Sequence, residues 1–223
     1  MTGLVGVLLA AGRGERFGGD KLREPVPRSA GLQCDGGDAN RGDPTGMGGD
    51  AAMAAGLPGE CVGVAAARAL LAAVPTVIAV VRADDDALAH ALGAAGATIA
   101  RCADAGRGMG ASLACGVRAV RSRHPGAGGV IVALADMPWV RSATIARVAA
   151  AVAAGATVAA PFHAARRGHP VGFGAACFGE LEALDGEDGA RSVVAAHADA
   201  VLRLDVDDAG VLRDVDTAAD LTP

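Results

Sequence analysis

The stretch "LLAAGRGERFGGDKL" at residues 8–22 is an apolar run that breaks into glycines and ends beside Lys21. Glycines after a buried strand let backbone N–H groups approach phosphate oxygens. Two known phosphate-binding patterns nearly fit and then fail: Phe17 stands where the dinucleotide fingerprint needs its third glycine, and Asp20 stands where the P-loop needs its lysine. We therefore predict a glycine-rich strand-to-helix turn of another kind. Its candidate phosphate-binding residues are Gly12, Gly14, Arg16 and Lys21.

Lys21 is the only lysine among the 20 basic residues of the chain, and all the others are arginines. An ammonium is a compact point charge and a guanidinium is a planar fork, so the two are not interchangeable where one phosphate oxygen must be met in a tight space. This favours a binding role for Lys21 over the alternative, a chance survivor of an arginine-rich composition.

A second candidate for chemistry is Asp136, in the segment "LADMP" at 134–138 that follows a buried apolar run. A carboxylate at the end of a buried strand is costly unless it is paired or binds a cation. Mg²⁺ usually takes one or two carboxylates together with substrate phosphates. We predict that Asp136 holds Mg²⁺. The alternative is a cap for the next helix, a place for which Ser142 is also a candidate.

The composition argues against several classes of protein. The net charge of −5 and the small aromatic content, with four Phe, one Trp and no Tyr, disfavour nucleic-acid binding. No apolar stretch approaches the roughly 20 residues of a membrane span, and the chain starts without a basic leader. The five cysteines are scattered and form no C-x-x-C pair, which is typical of reduced thiols. We expect a cytoplasmic protein without nucleic-acid or membrane partners.

Strand-like and helix-like patterns alternate along the chain, which predicts an α/β fold. Continuous apolar runs, typical of parallel strands buried on both faces, cover 4–11, 76–81 and 129–135, and two further strands are predicted at 157–162 and 201–206. One apolar helix face carries Leu113, Val117 and Val120, and another carries Ile145, Val148 and Val152. We expect one domain over residues 1–223, with three α/β/α layers around a mostly parallel, Rossmann-like sheet.

One segment does not fit this alternation. Residues 24–56 are rich in Gly, Asp, Pro and Ser and show no sustained periodicity, whereas helical character returns at 64–74. Such a stretch cannot bury much apolar surface. We predict a flexible loop inserted next to the glycine-rich turn.

Five segments in order resemble the molybdenum cofactor nucleotidyltransferases, and within them the cytidylyltransferase branch. The segments are "LAAGRGERFGGDKL" (9–22), "GRGMGASLACGV" (106–117), "LADMP" (134–138), "RRGHPVGF" (166–173) and "DVDTAADL" (214–221). The resemblance covers nearly the whole chain and implies the nucleotide-diphospho-sugar transferase type of fold. The chain departs from the family in its long segment after Arg23, in Glu187 of "GEDGAR" (186–191), and in lacking a proline after Thr217.

The resemblance also implies a role for each matching residue. The nucleotide would be bound by Leu9, Ala10, Ala11, Gly12 and Gly14, with Lys21 on its triphosphate, and its base would lie along Gly108, Met109, Gly110 and Ser112. The second substrate would contact Arg167, Gly168, His169 and Pro170. Asp136 would hold Mg²⁺, and Asp216 would be a weaker second metal contact, with a helix N-cap as its alternative. In this family "LAAG" rather than "LAGG" goes with CTP rather than GTP, and the chain has Ala11 at the position that differs.

The implied reaction is transfer of CMP from CTP to the terminal phosphate of molybdopterin. That phosphate is already ionised at neutral pH, so catalysis would rest on positioning and on charge neutralisation by Mg²⁺, Lys21 and Arg16. A molybdoenzyme of the xanthine dehydrogenase type would be a candidate to receive the product. The alternatives are a relative that uses GTP or another phosphorylated substrate, and a molybdenum cofactor carrier or insertion chaperone without transfer activity. A dinucleotide-dependent oxidoreductase fits poorly because Phe17 replaces the third glycine.

Overall fold

The computed structural model describes residues 3–12, 17, 19–26 and 60–221. They form one eight-stranded sheet with helices on both faces. The strands are β1 (Leu4–Leu9), β2 (Val77–Arg82), β3 (Thr98–Cys102), β4 (Gly129–Leu134), β5 (Val158–His163), β6 (Arg166–Arg167), β7 (Val171–Gly174) and β8 (Val201–Asp205). The helices are α1 (Val62–Ala73), α2 (Asp86–Ala94), α3 (Met109–Arg123), α4 (Ser142–Ala153), α5 (Phe178–Glu182) and α6 (Arg191–Ala196).

The sheet confirms the predicted α/β class and its mostly parallel character. Its strand order is β3-β2-β1-β4-β7-β5-β6, and β8 pairs with β5. Strands β1 to β4 are mutually parallel, and β8 is parallel to β5. The apolar runs predicted at 4–11, 76–81 and 129–135 form β1, β2 and β4, which are three adjacent strands of this parallel part.

The two apolar faces of these strands explain why their sequences are continuous apolar runs. Successive side chains of a strand point to opposite faces. In β1 and the residue after it, Val7 and Leu9 join the core beneath α3, α5 and α6, whereas Leu8 and Ala10 join the core beneath α1, α2 and α4. Both sides of the strand are therefore buried, and the sheet forms the middle of three layers.

The segment "RRGHPVGF" is not part of a parallel strand, and the sequence patterns did not predict its structure. It forms β6 and β7, which both run antiparallel to β5, and β7 lies between β4 and β5. Two residues of β5, 160 and 161, face four residues, 168–171, because Ala159 pairs with Gly172 and Phe162 with Arg167. The extra residues form a bulge that carries His169 away from the regular pairing.

One local expectation is corrected by the structure, and another lies mostly outside the described residues. The predicted loop at 24–56 lies outside the described residues except for 24–26, and these pair with 60–62 through an isolated bridge between Pro25 and Cys61. Ser142 does not cap α4, because it is the first helical residue. The buried carboxylate of Asp208 holds this helix end instead, accepting hydrogen bonds from the backbone N–H of Arg141 and the hydroxyl of Thr144. Among the described residues, no helix is both long and apolar enough to cross a membrane.

Candidate active site

The carboxyl ends of β1 and β4 bring the glycine-rich turn next to the Asp136 loop. Leu9 pairs with Leu134 at the end of the two strands, and the N–H of Ala135 donates to the carbonyl of Leu9 over 3.0 Å. In open α/β sheets, ligands bind outside this edge. The starts of the segments 9–12 and 134–138 are therefore adjacent at this edge, although the segments are far apart in sequence.

Lys21 lies between two carboxylates at this edge. Its Nζ is 2.8 Å from Oδ2 of Asp136 and 3.3 Å from Oδ1 of Asp216. The side chain of Lys21 is only 13% exposed, while those of Asp136 and Asp216 are 23% and 43% exposed. Two oxygen ligands thus converge on one cation in a partly desolvated place. The structure brings together the three charged residues that the sequence placed in separate motifs.

The same two carboxylates keep Lys21 charged. Burial by itself would lower the pKa of Lys21, but the charges and hydrogen bonds of Asp136 and Asp216 outweigh it and raise the pKa above its ordinary value. Lys21 is therefore a permanent cation at neutral pH, able to meet a phosphate oxygen.

A short segment after Val211 holds Asp216 in place. The N–H of Val215 donates to the carbonyl of Asp136 over 2.9 Å, which fastens the two carboxylate-bearing segments to each other. The carboxylate of Asp220 accepts hydrogen bonds from the N–H groups of Asp216 and Thr217. Asp220 therefore orders the backbone of the following turn, whereas an oxygen of the Asp216 carboxylate faces Lys21.

The glycine-rich turn is described at Gly12 but not at Gly14 or Arg16, which lie outside the described residues. A side chain at Gly12 would meet no atom of a described residue within 4 Å, so the described part of the chain leaves the surface above its backbone open. The guanidinium of Arg82, at the end of β2, reaches the carbonyl of Gly12 at 3.5 Å. This end of β2 therefore supports the start of the turn.

Arg23 fastens the segment that carries Lys21. It bonds to the buried carboxylate of Asp85 and forms an ion pair of 2.8 Å with Asp20. Asp85 in turn accepts a hydrogen bond from the N–H of Leu88 and so caps α2. Lys21 is thereby tied to a helix end rather than to a free loop, a support that sequence reasoning missed.

The predicted base-binding residues lie at the start of α3, under a second loop. The N–H of Gly110 donates to the carbonyl of Gly186 over 2.8 Å, and the hydroxyl of Ser112 donates to the carbonyl of Gly108. Gly108 has a φ of +120° and its missing side chain would lie 2.4 Å from the oxygen of Gly186, so only glycine fits there. Met109 is 43% exposed. Of the four residues, only Met109 presents its side chain to solvent.

The predicted second-substrate segment lies against the carbonyl of Val211. The N–H of His169 donates to that oxygen over 2.9 Å, and a side chain at Gly168 would lie 2.3 Å from it. Pro170 is buried, and Arg167 is exposed. The Nδ1 atom of His169 is buried and has no hydrogen-bond partner among the described residues. Buried ring nitrogens are normally paired, so this one is available to a ligand.

His169 is uncharged at neutral pH. Burial lowers its pKa to about 4, the positive charges of Arg167 and Arg191 act in the same direction, and the negative charge of Asp214 opposes them. The imidazole can therefore serve as a neutral hydrogen-bonding group, and a general-base role at neutral pH would need a pKa closer to 7.

We predict that His169 makes the protein acid-sensitive. In the unfolded chain a histidine takes up a proton below about pH 6.5, whereas folded His169 does so only near pH 4. The unfolded state binds more protons in this window, so the free energy of unfolding falls as the pH falls, by roughly 3 kcal/mol in all. Urea unfolding at about pH 7 and about pH 4.5 should show a smaller loss in His169→Gln than in the wild type. The exposed His90→Gln should behave as the wild type; an equal loss in His169→Gln would contradict the prediction.

A small cavity adjoins His169 on the face of α1 and α4. Its volume is about 10 Å³, room for about one water molecule. Its lining is otherwise apolar and includes Ala66, Met137 and Ile145. It is far too small for a nucleotide.

Asp136 and Asp216 fit a hard divalent cation. Carboxylate oxygens are the ligands that Mg²⁺ and Mn²⁺ prefer, and the two side chains already converge on the ammonium of Lys21. Among residues 3–12, 17, 19–26 and 60–221, no group of three or more His, Cys, Asp or Glu side chains is placed to hold a metal. A cation held by these two carboxylates would complete its coordination with phosphates and water, as Mg²⁺ usually does.

Comparison with known proteins shows the family to which the chain belongs. The family model described as "MobA-like NTP transferase domain" matches residues 42–201, which include Asp136, Gly108 and His169 but neither Lys21 nor Asp216. The purine catabolism protein PucB of Bacillus subtilis (strain 168) is 33% identical over 117 residues, which are 52% of this chain and 55% of PucB. The chain thus spans about half the length of this curated relative.

Three solved structures extend the similarity over nearly the whole chain. Rv0371c from Mycobacterium tuberculosis H37Rv is 26% identical with a TM-score of 0.67, covering 98% of this chain and 96% of its own. A structure of Rv0371c in complex with manganese gives 25% identity and a TM-score of 0.65, with the same coverage. A nucleotidyl transferase from Methanothermobacter, 21% identical with a TM-score of 0.71 over 99% of this chain and 94% of its own, has the same fold.

Proposed function

The chain belongs to the family of MobA-like NTP transferase domains and is a nucleotidyltransferase, and from this premise we propose that it transfers CMP from CTP to the terminal phosphate of molybdopterin. An oxygen of that phosphate forms a bond to the α-phosphorus of CTP. The bond between the α-phosphorus and the bridging oxygen breaks, and pyrophosphate leaves with the electron pair. Two substrates and two products account for every atom.

The observation that carries this proposal is the position of Lys21 between Asp136 and Asp216. A nucleotide bound above Gly12 would place its triphosphate beside one fixed ammonium and two metal-binding carboxylates. Negative charge builds up on the phosphate oxygens as pyrophosphate departs, and preorganised positive charge at that place stabilises the transition state. Both carboxylates have an oxygen within 3.3 Å of the Nζ atom of Lys21.

The protein's own part in the reaction is positioning and charge neutralisation. The acceptor phosphate is ionised at neutral pH, so no side chain has to remove a proton from it. Lys21 would meet the triphosphate, and Arg16 is proposed to add a second positive charge. Magnesium, bound by Asp136 and Asp216, would supply a Lewis acid for the phosphate oxygens. Manganese in the Rv0371c complex supports a divalent cation without selecting magnesium.

The choice of CTP rests on the first two residues after β1. Ala10 and Ala11 are 3% and 4% exposed, and Ala11 joins the core beneath α3, the helix whose first turn is proposed to lie along the base. Ala11 is the residue that separates "LAAG" from "LAGG", and we propose that its methyl group favours the smaller pyrimidine. A GTP-using enzyme is the alternative within the family.

The choice of molybdopterin rests on the resemblance of "RRGHPVGF" to the second-substrate segment of the molybdenum cofactor nucleotidyltransferases. We propose that Arg167, Gly168, His169 and Pro170 contact this substrate, and that the product passes, in the cytoplasm, to a molybdoenzyme of the xanthine dehydrogenase type. A carrier or insertion chaperone is the alternative outside catalysis. It would have no need of the paired carboxylates around Lys21.

The test is pyrophosphate release with Mg²⁺ and molybdenum cofactor, compared between CTP, GTP and ATP. We expect release with CTP at least about tenfold faster than with GTP, since about 1.4 kcal/mol of discrimination is tenfold. Larger thermal stabilisation by Mg²⁺–GTP than by Mg²⁺–CTP would contradict the choice of base. Absence of release with every nucleotide, despite tight binding of the cofactor, would favour the carrier.

The variant Ala11→Gly tests the preference for CTP over GTP, and Ala10→Gly is its matched control. Ala11→Gly converts "LAAG" into "LAGG" by removing one methyl group, and we expect the ratio of CTP to GTP activity to fall. Ala10→Gly removes a methyl group from the neighbouring residue, whose side chain joins the opposite core. An equal change of the ratio in both variants would mean that backbone flexibility, rather than the methyl of Ala11, sets the preference.

A further inference from the structure

Three arginines have neither an ion pair nor a side-chain hydrogen bond to any described residue: Arg166, Arg167 and Arg191. The other described guanidiniums, such as those of Arg23, Arg82 and Arg121, bond to carboxylates or carbonyls. Nothing in the motif "GEDGAR" distinguishes Arg191 from the other arginines of the sequence. Its lack of a carboxylate partner within the described part of the chain is seen only in the structure.

Arg191 starts α6, directly after a loop that rests on the predicted base-binding turn. Gly186 accepts a hydrogen bond from the N–H of Gly110, and a side chain at Gly189 would lie 2.9 Å from Sδ of Met109. The N–H of Arg191 donates to the carbonyl of Asp188, which closes the loop. Arg191 is therefore anchored two residues from the contact with Met109.

Arg167 arrives from the other side, on β6. Arg166 and Arg167 are successive residues of an extended strand, so their side chains point to opposite faces. Arg167 immediately precedes Gly168, which packs against the carbonyl of Val211. Of the two arginines, Arg167 is therefore the one that directly precedes the bulge with His169.

The two guanidiniums lie on the same face of the sheet. Arg167 pairs directly with Phe162 of β5, so the two side chains lie on one face, and Phe162 packs against the core beneath α6, the helix that Arg191 starts. The pKa of His169 agrees with this placement, since burial lowers it and the charges of Arg167 and Arg191 act in the same direction. The Nδ1 atom of His169, two residues after Arg167, is buried and has no hydrogen-bond partner among the described residues.

We propose that Arg191 and Arg167 together bind the phosphate monoester of the acceptor substrate, and that Arg191 is a specificity-determining residue of the second-substrate site. Among the described residues, two guanidiniums without carboxylate partners and a buried ring nitrogen without a partner match a dianion with several acceptor oxygens. The inference rests on the proposed function, in which that phosphate supplies the attacking oxygen. Arg191 lies after the loop that covers the base-binding turn, so an oxygen held there is brought toward the bound nucleotide.

The first experiment measures binding of phenyl phosphate and of phenol to the wild type and to Arg191→Gln by calorimetry. We expect the wild type to bind phenyl phosphate, Arg191→Gln to bind it at least about tenfold more weakly, and Arg191→Lys to lie between them, because loss of a charged hydrogen bond costs about a factor of ten or more. Phenol should bind equally to all three proteins. No preference of the wild type for phenyl phosphate over phenol would overturn the proposal.

Arg123→Gln is the matched control. Arg123 is exposed at the far end of α3, where it donates a hydrogen bond to the carbonyl of Ile99. The substitution Arg123→Gln removes one positive charge, as Arg191→Gln does, but at a distance from the proposed site. Phenyl phosphate should therefore bind to Arg123→Gln as tightly as to the wild type. Equal weakening in Arg123→Gln and Arg191→Gln would reduce the effect to net charge and overturn the proposal.

Steady-state kinetics separate this inference from the proposed function. With CTP and molybdenum cofactor, Arg191→Gln should raise KM for the acceptor at least about tenfold and leave KM for CTP nearly unchanged. Pyrophosphate release with an unchanged acceptor KM would overturn the role of Arg191 and leave the proposed function standing. Arg191-dependent binding of phenyl phosphate without any pyrophosphate release would support the role of Arg191 in phosphate binding and overturn the proposed function.

Discussion

We expect Asp136→Asn to reduce the rate of pyrophosphate release by about a thousandfold or more. The substitution keeps the size of the side chain but removes one of two carboxylates that converge at Lys21, 2.8 Å from its Nζ. A divalent cation is worth several kcal/mol of transition-state stabilisation, and each 1.36 kcal/mol is a factor of ten in rate. Initial rates with CTP and molybdenum cofactor, at saturating Mg²⁺, measure the loss.

Metal binding supplies an independent readout for the same variant. Electron paramagnetic resonance of Mn²⁺ should show weaker binding to Asp136→Asn than to the wild type, with and without CTP. Asp199→Asn, which changes an exposed carboxylate in the turn before β8, should bind Mn²⁺ and release pyrophosphate as the wild type does. Full activity in Asp136→Asn would remove Asp136 from the metal site.

The second large effect is expected at Lys21. Lys21→Met should lose about a hundredfold or more in kcat/KM for CTP, because removing one preorganised charge from a developing oxyanion typically costs that much. Lys21→Arg should recover little of this loss. A guanidinium is larger than an ammonium and planar, and the lysine side chain is only 13% exposed between Asp136 and Asp216.

Stability measurements distinguish catalysis from a purely structural role of Lys21. Lys21→Met leaves two neighbouring carboxylates without their shared cation, so its free energy of unfolding should fall as well. If Lys21 served only as their counter-ion, Lys21→Met would keep the wild-type kcat/KM at temperatures where it remains folded. Asp136→Asn/Lys21→Met should unfold less readily than Lys21→Met alone, because one of the two repelling charges is gone.

Much of the fold follows from local patterns in the chain. The apolar runs at 4–11, 76–81 and 129–135 are buried on both faces, and this requirement is visible in the residue types alone. The helix faces with Leu113 and Ile145 are likewise buried. By contrast, "RRGHPVGF" forms two short antiparallel strands, because its pairing is decided by β4 and β5, which are distant in sequence.

Some residues of the candidate site could likewise be identified from the sequence, and others only from the structure. A carboxylate after a buried strand identified Asp136, and the unique lysine at the end of a glycine-rich turn identified Lys21, because both signals lie within a few neighbouring residues. Ser142 was a wrong choice of helix cap, because Asp208 reaches α4 from a separate segment. Arg191 could not be selected from its sequence, since a lack of carboxylate partners is visible only once all neighbours are placed.

The sequence by itself determined that the chain has a buried parallel sheet, a glycine-rich turn after its first strand and an acidic residue after β4, because burial and turn chemistry act on neighbouring residues. Only the tertiary structure decided that Asp216 joins Asp136 around Lys21 and that the loop before Arg191 covers Gly108 and Gly110. It also decided that the Nδ1 atom of His169 is buried and has no hydrogen-bond partner among the described residues. Lys21 and Asp216 are 195 positions apart. Contacts over such separations depend on how the layers pack, and this is information that local residue patterns do not contain.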